Sequence, residues 1–209
     1  MPAVLNQNNA VKDGLLVRRY GAGSCPICKG FHEVNANLIE SGGSKAFVEV
    51  LFARMLTLCA GMSSKKLGEA KMMIGALVPS GKEKVLIAVS GNGDRDIFTR
   101  AANTMQSTIV CGAVANPATT AGGREITGTQ LQGWKVDNEP LQCAAPKLIM
   151  EARRRNYTKP WDMTEVWFDP KMGEKHFMTR QTGYSRHGWS IASCQTCANV
   201  VPALLCSAS

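Results

Sequence analysis

At 209 residues and 44% apolar composition, the chain can bury one good core in one main domain, and it contains no apolar run near the roughly 20 residues that cross a bilayer. Its formal charge is +8, from 24 Lys and Arg against 16 Asp and Glu, a balance that favours polyanionic partners because each neutralised phosphate releases counterions. The excess is uneven: from Trp134 onward 10 cations face 7 anions, so this half carries only +3.

Residues 1–43 are polar and glycine-punctuated and read as an extension ahead of a domain spanning 44–209. The opening Met1-Pro2-Ala3-Val4-Leu5 lacks the basic-then-apolar order of a signal peptide, so a soluble protein is expected. The extension holds one knot, Ser24-Cys25-Pro26-Ile27-Cys28-Lys29-Gly30-Phe31-His32. This is a turn that could carry a metal on Cys25, Cys28 and His32, with no fourth ligand evident nearby; the alternative is a plain turn with two thiols. Of the eight cysteines, Cys59 and Cys206 stand in apolar surroundings and read as small buried hydrophobes. For the others, CxxC spacings in a chain with a sizeable core favour metal ligation over disulfides.

Steps of three and four through Phe47, Leu51, Met55, Leu58 and Met62 predict an amphipathic helix over Ser44–Met62, capped by Ser44. Two apolar, β-rich runs, Lys71–Val78 and Lys84–Gly91, flank a Pro79–Glu83 turn and read as a hairpin. A helical stretch near Ile97–Met105 and a strand at Thr108–Val110 follow, then a Gly, Thr and Ala-rich segment, 115–129, read as loop. Residues 133–140 form a surface approach to Cys143.

A helix is expected to start near Cys143, with Pro146 in its first turn, where a missing N–H costs little. Leu148, Ile149 and Ala152 give it an inward face, and Arg153-Arg154-Arg155 closes it at the end that the helix dipole makes favourable to cations. Thr164–Phe168 reads as a short strand, with Trp167 packing one face. The polar run Lys171–Ser190, which includes a structural His176, is longer than a minimal connection. A last helix begins at Cys194-Gln195-Thr196-Cys197 and is expected to end or bend at Pro202.

Thiolates at two helix N-termini have lowered pKa values and converge on one point. Three such ligands would leave Zn²⁺ one open position for water. Zinc deaminases use this arrangement, with a non-ligating Glu two residues after the first ligand as proton carrier. The run Cys143-Ala144-Ala145-Pro146-Lys147 resembles the Cys-Ala-Glu-Pro-Lys element of bacterial toxin-type deaminases in the cytidine-deaminase-like superfamily, and Cys194-Gln195-Thr196-Cys197 with Val200-Val201-Pro202 resembles their second element. The match spans roughly Met72 to Leu205 and is specific only in these two segments. Ser193 departs from it, since the family usually has Pro there, and so does Ala145, which stands at the Glu position.

The resemblance implies an α/β, cytidine-deaminase-like three-layer domain, a mixed β-sheet flanked by helices that begins with a helix and a hairpin. It implies Zn²⁺ on Cys143, Cys194 and Cys197, and hydrolytic deamination of cytosine in nucleic acid, DNA ahead of RNA. It further implies a toxin or effector acting in a target cytoplasm, delivered without a classical signal peptide, partnered by an immunity protein and not by a membrane. Ala145 leaves two accounts open, a toxic enzyme disarmed by Glu→Ala or a natural pseudo-enzyme that keeps zinc for structure.

Asn92, in the Gly91-Asn92-Gly93 turn, is a candidate sugar contact, although turn formation alone also explains it. Tyr184, Arg186, His187 and Trp189 combine stacking faces with charge, the mixture that holds an unstacked base and its phosphates, with local packing as the alternative. A free-nucleoside deaminase is the rival enzyme class; the long Lys171–Ser190 segment argues for a polymer instead. A zinc-stabilised binding module is the non-enzymatic rival.

Overall fold

The computed structural model describes residues 11–12, 15–17, 25–30, 38–40, 42–81, 84–91, 95–114, 117–136, 138–171 and 195–208. The first long helix, α1, runs Gly42–Cys59 and buries Val48, Leu51, Phe52, Met55 and Cys59; of the predicted stripe Leu51 and Met55 are buried, while Phe47, Leu58 and Met62 are half-buried against the same core. It starts two residues before Ser44, which is therefore not its cap. Ser44 lies in the first turn, fully buried, where its N–H donates to Asp162 Oδ2 at 2.9 Å and its hydroxyl bonds Thr164 Oγ1 at 2.8 Å. An early helical amide has no partner within the helix, and the neighbouring strand supplies one. At the other end the chain leaves the helix before Met62, with Gly61 in the left-handed region at φ 79°.

A short helix, α2 (Ser64–Glu69), leads into the expected hairpin. Strands β4 (Met72–Val78) and β5 (Val85–Val89) pair antiparallel, Ile74 opposite Val89 and Leu77 opposite Leu86. Helix α3 (Arg95–Asn103) and β6 (Thr108–Val110), parallel to β5, follow close to their predicted places.

Segment 115–129 is not all loop. Ala118–Thr119 (β7) and Glu125–Ile126 (β8) pair across a Gly122-Gly123 turn. Helix α4 (Gly128–Gly133) then starts on a capping box, Thr127 and Gln130 each satisfying the other's backbone N–H. That Thr-x-x-Gln signature outweighs the glycine-rich composition around it. Helix α5 is Ala144–Arg154. Strand β9 is Trp161–Phe168, longer than Thr164–Phe168 because the alternation already begins at Trp161 and Met163. Helix α6, Gln195–Leu205, does not end at Pro202, which lies within it.

Strands β1 (Val11–Lys12), β2 (Leu15–Val17) and β3 (Leu38–Glu40) extend the sheet, whose order is β1-β2-β3-β9-β4-β5-β6. β3 runs parallel to β9, and β9 antiparallel to β4 over the whole of that strand. Strand alternation sorts the core onto two faces. Ile74, Ala76, Ile87, Val89, Val166 and Phe168 pack with α1 and α3, where Phe52 meets Phe168 edge-on at 5.1 Å. Leu77, Leu86, Ala88, Trp161 and Met163 pack with α5 and α6. The architecture is thus α/β, a mixed sheet between two helical layers.

Candidate functional site

Helix α5 starts from a constrained approach. Leu141 is buried in the left-handed region at φ 68°, a conformation that costs a non-glycine residue roughly 1–2 kcal/mol and that its core packing holds. The next residue, Gln142, accepts from Gly91 N–H at 3.0 Å, fastening the helix start to the end of β5. Cys143 then takes the N-cap position with extended geometry, and its sulfur makes no capping hydrogen bond. It is half-buried, at the helix end where a positive field favours a thiolate.

Ala144, Ala145, Pro146 and Lys147 are all buried. Ala145 N–H donates to Glu165 Oε1 at 2.9 Å, so the carboxylate of β9 occupies the helix N-terminus. Lys147 Nζ donates to Val89 O at 2.7 Å, and burial, with Arg95 nearby, brings its pKa down to about 8. Gly75 makes this close packing possible. A Cβ there would stand 3.0 Å from Leu148 Cδ1, 3.1 Å from Glu165 Cγ and 3.3 Å from Ala144 Cβ.

The second predicted element lies against the first. Cys197 is buried in the first turn of α6, in the apolar cluster against which Cys143 packs. Thr196 ties that turn to the 133–140 approach, its Oγ1 accepting from Val136 N–H and Asn138 N–H and donating to Asn138 O. Two of the three expected zinc ligands, Cys143 and Cys197, therefore sit in the first turns of helices sharing one core, and a thiol at an N-cap fits thiolate ligation. Cys194 lies outside the described residues, as do Asn92, Tyr184, Arg186, His187, Trp189, His32 and His176.

The placement of Glu165 and Lys147 was not expected from sequence. An acidic residue on the core-facing register of a strand was the available signal for Glu165. Among the described residues, Gln142 Oε1 is the buried side-chain oxygen that lacks a hydrogen-bond partner.

Beside α5 a cleft of about 970 Å³ is lined by Lys147, Arg153, Arg154 and Lys159, against one carboxylate, Glu151. Glu151 accepts from Arg154 and Arg155, and these bonds hold its carboxyl down at about 2. Arg153 is engaged with Thr119 O, Thr120 O and Leu204 O, joining α5 to the β7 turn and α6.

A second thiol cluster lies elsewhere. The Sγ atoms of Cys25, Cys28 and Cys206 all lie within 4.8 Å of one another, a set that could hold a metal ion. Cys206 is buried, as its apolar surroundings predict, but it is also a member of this cluster, a role that its surroundings conceal. Burial and the adjacent thiols push its pKa up to about 11, while the Gly30 N–H lowers that of Cys28. No protein-family model, curated protein or solved structure matches the chain.

Proposed function

We propose that the chain is a zinc-dependent cytosine deaminase of nucleic acid, DNA ahead of RNA, disarmed at position 145. The observation that carries this reading is the start of α5: Cys143 at the N-cap, residue 145 buried behind it, and the Cys197 helix packed alongside. The helix, sheet and hairpin order also agrees with the cytidine-deaminase-like fold that the two cysteine elements suggest.

Zn²⁺ on Cys143, Cys194 and Cys197 would bring the pKa of a bound water close to neutral. The chain's own groups set the rest. Backbone of α5 aims the Cys143 sulfur, and the Glu165 bond to Ala145 N–H fixes the pitch of the first turn. A Glu side chain at 145 would start from a fully buried position, where desolvation raises a carboxyl toward the range useful for carrying a proton to the ring nitrogen and on to departing ammonia. The methyl of Ala145 can hold no proton, so turnover in this chain is lost by several orders of magnitude. The cationic cleft along α5 suits phosphates. The toxin role and an immunity partner belong to the same proposal.

A second reading, a zinc-stabilised binding module, is favoured by Ala145 itself. The two separate in one experiment: Ala145→Glu protein, loaded with zinc, is incubated with single-stranded DNA, duplex DNA, RNA or free cytidine, and C-to-U conversion is measured. Conversion in a polymer pool, absent from the unsubstituted chain, is the expected result. Conversion of cytidine alone would replace the polymer with a nucleoside, and no conversion in any pool would leave the binding module.

A further inference from the structure

The Cys25–Gly30 segment is a hydrogen-bonded knuckle. Cys25 N–H donates to Gly30 O at 2.8 Å and Lys29 N–H to Cys25 O at 2.9 Å, with Lys29 in the left-handed region at φ 62°. Inside this turn two amides point at sulfur: Ile27 N–H to Cys25 Sγ and Gly30 N–H to Cys28 Sγ, each at 3.4 Å. Amides directed at both sulfurs of a CxxC turn stabilise negative charge there, which suits thiolate ligands. The third sulfur arrives from the far end of the fold. Cys206 directly follows α6, and Gly122 N–H donates to its carbonyl at 2.9 Å. Cys25 is fully buried beside it, its thiol 3.8 Å from Pro202 O.

We propose that Cys25, Cys28 and Cys206 bind a structural zinc-type ion that clasps the knuckle to the C-terminal end of α6, distinct from the Cys143 and Cys197 pair. Three soft sulfurs within 4.8 Å match a tetrahedral, sulfur-rich site and select zinc over hard, oxygen-seeking cations. Three ligands leave the ion one position for a further donor. This inference does not rest on the deaminase reading.

The test uses the full chain, purified reduced from zinc-supplemented growth, with metal counted by native mass spectrometry. Cys28 is exposed, so Cys28→Ser leaves core packing in place. It should remove one metal equivalent and lower the melting temperature. It should do so equally in a Cys143→Ser background, which separates this site from the other. With Co²⁺ in that background, the sulfur-to-metal charge-transfer band of the trio should disappear on Cys28→Ser together with the bound ion. Unchanged metal content in Cys28→Ser would overturn the proposal, as would an intact mass lower by two hydrogens through a disulfide within the trio. A failed Ala145→Glu assay with these results intact would remove the deaminase reading alone.

Discussion

Glu165 stands within an eight-residue strand with its carboxylate buried, and Ala145 N–H is one partner that makes this tolerable. Glu165→Ala would leave that amide buried and unanswered, at a cost of about 1–3 kcal/mol in urea unfolding. Glu165→Gln keeps an acceptor and should lose clearly less; equal losses would show that charge, not the acceptor, holds the helix start. Sequence exposed Cys143 because a cysteine followed by Pro146 marks a helix entrance. It concealed the pairing of Glu165, whose partner lies 20 positions away in the helix packed over the sheet. It concealed Cys206 more thoroughly, since an apolar neighbourhood looks the same whether a thiol merely packs or meets two others.

At the scale of elements, periodicity was informative where packing is one-sided. The existence of helix α1, the β4–β5 hairpin and the inward face of α5 follow from spacing alone. Boundaries were harder, because they depend on partners. Ser44 is drawn into α1 by Asp162 and Thr164, and β9 gains three residues by pairing along the whole of β4 and, at Trp161, with β3. The β7–β8 turn is brief, and its glycines resemble loop punctuation. The close approach of α5 to β4 yields a prediction at this level. Gly75→Ala should destabilise the fold by about 1–3 kcal/mol, since its methyl meets Leu148, Glu165 and Ala144. Leu148→Val removes the nearest of these atoms, so the double variant should lose less than the sum of the single losses in chemical denaturation. Strict additivity would mean that the contact is not the cause.

For the whole molecule, charge is the property that most bears on partners. On the proposed reading, the +8 balance, with a cationic cleft along α5, predicts nucleic-acid binding that weakens steeply with salt. Lys159 lies over the Trp161 ring, 5.3 Å from its centre, on the cleft wall. Lys159→Ala should flatten the log-affinity against log-salt slope for single strands by about 0.7, the loss of one phosphate contact. An unchanged slope in a titration from low to high salt would place the nucleic acid elsewhere.

The thiol trio joins distant parts of the chain: 177 positions separate Cys25 from Pro202, whose carbonyl lies beside its sulfur. A CxxC turn alone offers two ligands at any time, during synthesis or after denaturation. The third is present only once α6 has docked and its end has reached the β7 turn. At the proposed site, full-affinity metal capture would then follow the docking of α6, and release of the ion would mark the parting of the Cys25 knuckle from the end of α6. Metal occupancy would then act as a quality mark, distinguishing chains in which the knuckle and α6 have met from those still exposed to proteolysis.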